Sequence, residues 1–277
     1  MIHIYCDGGL GNRLLMMFSG LYFASQANKP FIIHWPANNW CGCNFNDIFD
    51  NEYNTTNFNL KLVDDILHNC TLLIHADQIG HKPNKMINNI NLSKQTMIDL
   101  FKSEPNILYF GDSLHKSLTP TDIIEVINQL KISKNILDKV SKFNIIDHYG
   151  IHVRGTDFPE APLATVDQLE NEVKNNTDKK YFICSDQKDI ENIFKKYENI
   201  IMLEKTNYVE RLDKTKGWNG RITDDLNRSF NFNVDRNKVS VIEAFCDMIL
   251  LSKTKLIKTS NSSFLKCAYI LSKGKLL

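Results

Sequence analysis

The sequence predicts an α/β protein built from two Rossmann-like halves that face each other across a cleft. Short segments rich in β-branched residues alternate with longer apolar segments of helical length, which is the element order of a parallel sheet. The alternation starts at the N-terminus and starts again near residue 150. With 277 residues available, we expect two domains, residues 1–145 and 146–277, each large enough to bury a core.

The first half begins with a strand–helix–strand unit. Residues 2–6 contain two β-branched isoleucines and end shortly before a glycine pair, and residues 14–26 are apolar nearly all round, as expected for a buried helix. Residues 30–35 supply the second strand of the unit. Further strands are predicted at 71–77 and 106–110, and further helices are predicted to begin near Thr119 and Ser133.

The second half repeats this alternation with more strands and helices. The predicted strands are residues 150–154, 181–185, 199–203 and 255–259, and the predicted helices are residues 187–197, 238–252 and 263–272. Residues 206–237 contain few apolar side chains and are predicted to form a long loop. Ligands of such sheets bind at the carboxyl ends of the strands, where we therefore expect the functional residues.

Composition and charge exclude several classes of protein. A formal net charge of +1 gives no basic footprint for nucleic acid. The sequence has no apolar run of about 18 residues and no secretory pattern at its start, so no membrane span and a cytoplasmic location are expected. The seven cysteines are irregularly spaced, which indicates reduced thiols. Cys41 and Cys43 lack a second pair at zinc-site spacing, and we interpret them as thiols rather than metal ligands.

A glycine-rich loop, residues 7–13, separates the first predicted strand from the first helix. Glycines at a helix N-terminus let backbone N–H groups approach an anion. Dinucleotide binding is disfavoured, because Leu14 occupies the place of the third glycine and the second strand ends in His34 and Trp35 instead of an acidic residue. A Walker A motif is absent. An anion site and a tight turn without a ligand stay open as alternatives.

His152, Arg154 and Asp157 lie where the first strand of the second half runs into a loop. Residues two apart in a strand share a face, so two cation-capable side chains, His152 and Arg154, point to one side of the sheet end. Asp157 is placed to accept a hydrogen bond from either and to fix its orientation. The alternative interpretation is a solvated loop with a surface ion pair.

Glu243 and Asp247 stand four residues apart on an otherwise apolar helix, a spacing at which like charges are destabilising. Two such carboxylates need solvent or a ligand donor, and the N1–H and N2–H₂ groups of guanine are a pair that one carboxylate can accept. Ser262 and Ser263 open the next helix, where hydroxyl and N–H groups suit phosphate oxygens. The alternatives are a solvated helix edge and an ordinary N-cap.

Four short stretches, spread in order over nearly the whole chain, together resemble the metal-independent fucosyltransferases of the GT-B type. They are GGLGN at 8–12, HVRGTD at 152–157, YFICSD at 181–186, and a final signature that runs from the helix of Asp247 to the Ser-Ser-Phe of 262–264. The second stretch is most similar to the α1,6-fucosyltransferases. The first is more similar to the α1,2-fucosyltransferases, in which glutamine usually occupies the place of Arg13.

This resemblance implies a GT-B fold and an inverting transfer of L-fucose from GDP-fucose to a hydroxyl of a glycan or protein. It implies no metal cofactor, and the sequence contains no Asp-x-Asp motif. Arg154 would instead stabilise the charge on the leaving phosphate. The expected partners are a nucleotide-sugar donor and an acceptor, without nucleic acid. The alternatives are another donor, such as GDP-mannose, and a nucleotide-binding relative that has lost catalysis.

The resemblance also implies which residues form the site. Arg154, Asp157 and Glu160 are the candidate catalytic residues, with Glu160 as a general base and Asp157 and Asp7 as its rivals. The implied substrate-binding residues are Gly9, Gly11, Asn12, Arg13, His152, Asp186, Asp247, Ser262, Ser263 and Phe264.

Overall fold

The computed structural model describes residues 1–56, 70–74, 86–88, 91–111, 113–156, 162–223, 229–230 and 233–274. The chain forms two compact units. The first contains Met1–Ala37, Asn44–Ser133 and Lys273–Leu277, and the second contains Asn38–Cys43 and Lys134–Ser272. The main division falls between residues 133 and 134 rather than between 145 and 146, because the short helix that follows Ser133 packs against a helix of the second unit.

The first unit is a parallel six-stranded sheet with helices. Its strands are β1 (Ile2–Cys6), β2 (Phe31–His34), β3 (Thr55–Thr56), β4 (Thr71–Ile74), β5 (Met86–Asn88) and β6 (Ile107–Gly111), in the order β3-β2-β1-β6-β4-β5. The helices are α1 (Leu10–Ala27), α2 (Lys94–Ser103) and α3 (Pro120–Gln129). β1 lies centrally because Ile2, Ile4 and Cys6 alternate into the core against α1.

Helix starts in this unit follow the predicted capping chemistry. The Thr119 side chain accepts a hydrogen bond from the backbone N–H of Asp122, and the Asp122 carboxylate accepts one from the backbone N–H of Thr119. Ser93 caps α2 by accepting from the N–H of Thr96. The start of α3 is confirmed, whereas α2 and β5 were not predicted, because both are short and mostly polar or weakly periodic.

The second unit is a parallel four-stranded sheet surrounded by helices. Its strands are β7 (Tyr149–Val153), β8 (Tyr181–Ser185), β9 (Ile200–Ile201) and β12 (Lys255–Leu256), in the order β12-β7-β8-β9. Its helices are α4 (Lys134–Val140), α5 (Val166–Asn175), α6 (Lys188–Phe194), α7 (Lys238–Ser252) and α8 (Ser263–Leu271). The chain adds β8 and β9 on one side of β7 and β12 on the other, so the strand order reverses between β7 and β12.

Gly150 lets β12 and the segment that precedes it approach β7 closely. A Cβ atom at this position would overlap the Thr254 hydroxyl and lie 3.0 Å from the Thr254 Cβ and 3.2 Å from Leu251 Cδ2. The Gly150 carbonyl accepts a hydrogen bond of 2.9 Å from the N–H of Ile257. The reversal point of the sheet therefore depends on a residue without a side chain.

The segment predicted as a loop, residues 206–237, is largely irregular but contains the short antiparallel pair β10 (Ile222–Thr223) and β11 (Ser229–Phe230). The fully buried Asn233 organises it. Its side-chain oxygen accepts from the N–H of Asp213 at 2.8 Å, and its amide group donates to the carbonyls of Asp213, Lys216 and Gly217. Among the helices in the described ranges, none is both long and apolar enough to cross a membrane.

Candidate functional site

A pocket of about 380 Å³ opens at the carboxyl end of β7 in the second unit. It lies where the strand order reverses between β7 and β12, the place at which open α/β sheets bind ligands. The lining comes from the end of β7, from the start of α5 and from the segment after β12: His152, Val153, Arg154, Pro162, Leu163, Ala164, Thr165, Val166, Gln168, Leu169 and Thr259.

Arg154 follows the last residue of β7 and lines this pocket with a half-buried side chain. Its guanidinium is permanently charged and carries a planar set of donors that fits phosphate oxygens. The position therefore suits an anion at the mouth of the sheet.

His152 is buried, and its ring stacks on that of Phe264, with centroids 4.5 Å apart. The pKa of His152 is lowered to about 4, chiefly by burial; Asp186 opposes this shift, and the positive charges of Arg154 and Lys205 add to it. Of these two cation-capable side chains, Arg154 is permanently charged, whereas burial disfavours the charged form of His152. His152 Nδ1 is buried without a hydrogen-bond partner among the described residues.

Asp186 supports the loop that carries Arg154. Its carboxylate accepts a hydrogen bond of 2.8 Å from the backbone N–H of Gly155 and one of 2.6 Å from the Thr156 hydroxyl. The Gln187 side chain donates to the Gly155 carbonyl on the same loop. Asp186, predicted to bind substrate, thus positions the residues that follow Arg154. Asp157 and Glu160, the candidate bases, lie outside the described residues.

Asp247 lies on α7 and is buried against Lys205. Lys205 Nζ donates to Asp247 Oδ2 at 2.8 Å, to Glu191 Oε1 at 2.5 Å and to the Ser185 carbonyl at 2.5 Å. The Lys205 side chain is only 4% exposed, so all three of its donors are committed within the protein. Asp247 Oδ1 is buried and has no partner in the described part of the chain.

Asp247 and Glu191 share Lys205, and the charges of this group shift the pKa values of Lys205 and Asp247. Burial opposes the charge of Lys205, but Asp247 and Glu191 outweigh it and raise the pKa of Lys205. Burial raises the pKa of Asp247 to about 7, although Lys205 favours its ionised form, because Glu191 adds a second negative charge nearby.

Glu243, one turn before Asp247, takes its donors from the chain. Its carboxylate accepts from the backbone N–H groups of Thr206 and Asn207, at 2.9 to 3.1 Å, and from the Thr206 hydroxyl at 2.9 Å. The prediction that Glu243 and Asp247 both need solvent or a ligand is therefore wrong. Residues 205–207 donate hydrogen bonds to three of the four carboxylate oxygens of Glu243 and Asp247. The fourth, Asp247 Oδ1, has no partner among the described residues.

The start of α8 borders the same sheet edge. Ser262 caps the helix, because its hydroxyl oxygen accepts from the N–H of Leu265 at 3.2 Å, and it also contacts the Ser260 hydroxyl at 2.8 Å. Ser262 is buried, while Ser263 and Phe264 are half-buried in the first turn. The N-cap interpretation holds for the Ser262 hydroxyl, and Ser263 is the more accessible of the two serines.

The glycine-rich loop belongs to the first unit. Gly8 has a φ of +80°, which favours glycine, and Gly9 is the N-cap of α1. Arg13 is fully buried: its Nε donates to the Gly8 carbonyl at 2.7 Å and its Nη1 to the Pro36 carbonyl at 2.5 Å. The prediction that Arg13 binds substrate is therefore corrected, because its guanidinium holds the loop in shape. Gly9 and Asn12 are partly exposed in this loop, whereas Gly11 is buried.

The cysteine pair of the sequence lies in the interior of the protein. Cys41 and Cys43 are fully buried, and their Sγ atoms lie 3.8 Å apart, a non-bonded distance. Within the described ranges, no group of three or more His, Cys, Asp or Glu side chains is arranged to hold a metal ion.

Comparison with solved structures identifies the architecture. The fucosyltransferase NodZ from Bradyrhizobium matches with a TM-score of 0.59 at 13% identity, over 98% of this chain and 92% of NodZ. NodZ α-1,6-fucosyltransferase soaked with GDP-fucose matches with a TM-score of 0.57 at 14% identity, over 98% and 91% of the two chains. The chain has a GT-B fold. This confirms the predicted fold class.

Sequence comparisons add nothing to this likeness, since no family model and no curated protein matches the chain. The second unit of the GT-B fold brings His152, Arg154 and Phe264 to one sheet edge. The residue that the sequence analysis missed is Lys205. A lysine four residues after the end of β9, at the sheet edge where strands end, was the available signal.

Proposed function

We propose that the protein is a glycosyltransferase that transfers L-fucose from GDP-fucose to a hydroxyl group of a glycan or protein acceptor. One observation carries the proposal: Arg154 lines a pocket at the reversal point of the second sheet, beside a buried histidine whose Nδ1 lacks a partner among the described residues. A GT-B fold shared with a fucosyltransferase that was soaked with GDP-fucose supports the same donor.

In this proposal Arg154 stabilises the leaving group. When the bond from the sugar to GDP breaks, negative charge grows on the β-phosphate, and a fixed guanidinium favours that charge in a partly desolvated site. Asp186 keeps the Arg154 loop in place through Gly155 and Thr156. Two further groups complete the part of the site that binds the phosphates. They are the neutral ring of His152 and the start of α8, with Ser263 and Phe264.

The acceptor hydroxyl attacks the sugar carbon from the face opposite GDP, so the reaction inverts that carbon. Its proton passes to a carboxylate, for which Glu160 is the first candidate and Asp157 and Asp7 are the rivals. In this proposal the first unit binds the acceptor and the second unit binds the donor, and Gly9, Gly11 and Asn12 are substrate-binding residues of the first unit. Arg154 fills the role that a divalent metal plays in other nucleotide-sugar enzymes.

Isothermal titration calorimetry and a transfer assay test this function together. We expect GDP and GDP-fucose to bind, UDP to bind at least tenfold more weakly, and transfer to survive EDTA. GDP-mannose in the same series tests the alternative donor. Binding of GDP without any transfer to a panel of acceptors would favour a relative that has lost catalysis, and loss of turnover on chelation, restored by Mn²⁺, would contradict the metal-free mechanism.

A further inference from the structure

The strand β8 extends beyond its neighbour β9 at the carboxyl end of the second sheet. β9 pairs only with Tyr181 and Phe182, whereas β8 continues to Ser185. Ser185 is 3% exposed, so its backbone N–H and C=O groups need partners inside the protein. The strand on this side ends too early to supply them, and side chains take its place.

A buried ion pair provides these partners. The carboxylate of Glu191, on α6, accepts a hydrogen bond of 2.9 Å from the N–H of Ser185, and Lys205 Nζ donates to the Ser185 carbonyl at 2.5 Å. Glu191 and Lys205 also contact each other at 2.5 Å, and both side chains are buried. The second oxygen of Glu191 accepts from the Tyr208 hydroxyl at 2.6 Å. The ion pair therefore holds both backbone groups of the last residue of β8.

The residue that follows β8 is Asp186, which supports the Arg154 loop. Its carboxylate accepts from the Gly155 N–H and the Thr156 hydroxyl. The loop packs tightly against α6, because a Cβ atom at Gly155 would overlap Ile190 Cδ1. A displacement of the end of β8 would therefore move Asp186 and, through it, the backbone that carries Arg154.

We propose that Glu191 and Lys205 are positioning residues for Arg154. By holding the end of β8 they fix Asp186, and Asp186 fixes the loop that presents the guanidinium to the pocket. This inference rests on the proposed function, in which Arg154 stabilises charge on the leaving phosphate. A misplacement of about 1 Å can reduce a rate on the order of 10²-fold. Loss of the ion pair should therefore lower kcat, although neither residue lines the pocket.

A double-mutant cycle tests whether the ion pair acts through Arg154. Replacing Lys205 alone would leave buried carboxylates without their cation, so Lys205→Met is combined with Glu191→Gln, which keeps the net charge of the group. We expect kcat at saturating GDP-fucose to fall by roughly tenfold or more when Arg154 is present. In the Arg154→Ala background we expect a further fall of less than about threefold, because no guanidinium is left to position.

Glu191→Gln alone is a milder variant with a side chain of the same size. It leaves Lys205 paired with Asp247 and removes the charge that fixes Lys205 beside Ser185. We expect the same pattern, with a fall in kcat of about threefold when Arg154 is present. If this variant melts normally and keeps its kcat, the inference is overturned.

Lys179→Met with Glu172→Gln is the matched control. Lys179 and Glu172 form an ion pair at 3.2 Å beside Tyr181, at the opposite end of β8. The control should leave kcat unchanged in both backgrounds. Equal falls in kcat with and without Arg154, after loss of the buried ion pair, would show a general structural role and overturn the inference.

Hydrogen exchange of the Gly155 amide gives a readout that does not require transfer. This N–H is bonded to Asp186, so loosening of the end of β8 should raise its exchange rate by roughly tenfold in Lys205→Met/Glu191→Gln and leave it unchanged in the control. Unchanged exchange in the variant would overturn the inference and leave the proposed function intact. A wild type that binds no GDP and transfers no fucose would overturn the proposed function itself, whatever the exchange rate.

Discussion

Lys205 determines what Asp247 can offer to a ligand. A free carboxylate could accept both the N1–H and the N2–H₂ of guanine, but Lys205 holds Asp247 Oδ2 at 2.8 Å, with its other donors on Glu191 and Ser185. The other oxygen, Oδ1, is buried and has no partner in the described part of the chain. In the proposed function, Asp247 therefore recognises a single donor, which every 6-oxopurine supplies through N1–H.

Binding of inosine diphosphate tests whether Asp247 contacts only N1–H, because hypoxanthine keeps N1–H and lacks the amino group of guanine. We expect GDP and inosine diphosphate to bind with affinities within about threefold of each other. We expect ADP, whose N1 is an acceptor, to bind at least tenfold more weakly.

Asp247→Asn should reduce the preference for GDP over ADP by roughly 1–3 kcal/mol. Tyr208→Phe, which removes a hydrogen bond from Glu191 on the other side of the same ion group, is the control. Inosine diphosphate binding that is tenfold weaker than GDP binding would show that both oxygens contact the base.

Replacing Arg154 should affect the reaction more than the fold. Stabilisation that grows towards the transition state appears in kcat, so we expect Arg154→Ala and Arg154→Lys both to lower kcat by on the order of 10²-fold or more. Lysine keeps the charge and loses the planar set of donors. The melting temperature should change little, since the side chain is half-buried at the edge of a pocket. A variant that melts normally and keeps its kcat would exclude Arg154 from the mechanism.

Among the elements, β1, β2 and β3 are joined by a chain of side-chain hydrogen bonds. His3 Nδ1 and His34 Nε2 lie 3.0 Å apart, and His34 Nδ1 lies 2.7 Å from the Thr56 hydroxyl. Burial lowers the pKa of His34 to about 4, with a smaller effect from His3. The three strands are therefore linked most favourably when both rings are neutral.

This linkage makes stability depend on pH in a defined window. The unfolded chain protonates His34 near pH 6.5 and the folded chain near pH 4, so between these values the unfolded state binds more protons. The stabilisation is present above pH 6.5 and is lost as the pH falls towards 4. We expect the difference in unfolding free energy between wild type and His34→Asn to shrink by about 2–3 kcal/mol over that fall. Urea titrations at several pH values measure it, and a difference independent of pH would contradict the assignment.

The close approach of β12 to β7 provides a second test among the elements. Gly150→Ala would place a methyl group against the Thr254 hydroxyl, and we expect a loss of about 1–3 kcal/mol in stability. Thr254→Ala in the same chain should restore part of it, because the overlap with the hydroxyl disappears and the remaining contact is the one to the Cβ of residue 254, at 3.0 Å. Thermal melting of the single and double variants measures the effect, and an unchanged Gly150→Ala variant would show that the backbone moves.

For the whole molecule, sequence periodicity was sufficient to predict the fold class and most strands. The strand at 181–185 and the helix at 238–252 match the structure residue for residue. The helix α5 was missed because only Leu169 and Val173 of its ten residues are buried. Its capping pair, Thr165 and Gln168, was the signal that could have found it.

The site was less predictable because it depends on contacts between distant parts of the chain. Lys205 meets Asp247 across 42 positions, and no local pattern announces that pairing. The resemblance implied that Arg13 binds substrate, but its guanidinium is buried against Trp35 and Pro36 after β2. Residue types therefore indicated which side chains could bind a ligand. Tertiary contacts determined which of their polar atoms have no partner within the protein.

The placement of Asn38–Cys43 in the second unit affects how the newly made polypeptide matures on the ribosome. Gly42 donates its N–H to the Arg236 carbonyl at 2.8 Å, and Arg236 donates its own to the Asn39 carbonyl at 2.9 Å. Residue 236 is synthesised nearly 200 positions after this hexapeptide, an interval of roughly 10–40 s at typical elongation rates. Throughout that interval the nascent segment lacks the Arg236 backbone with which it forms hydrogen bonds. Cys41 and Cys43, which are buried in the folded protein, are then accessible to oxidants and to chaperones.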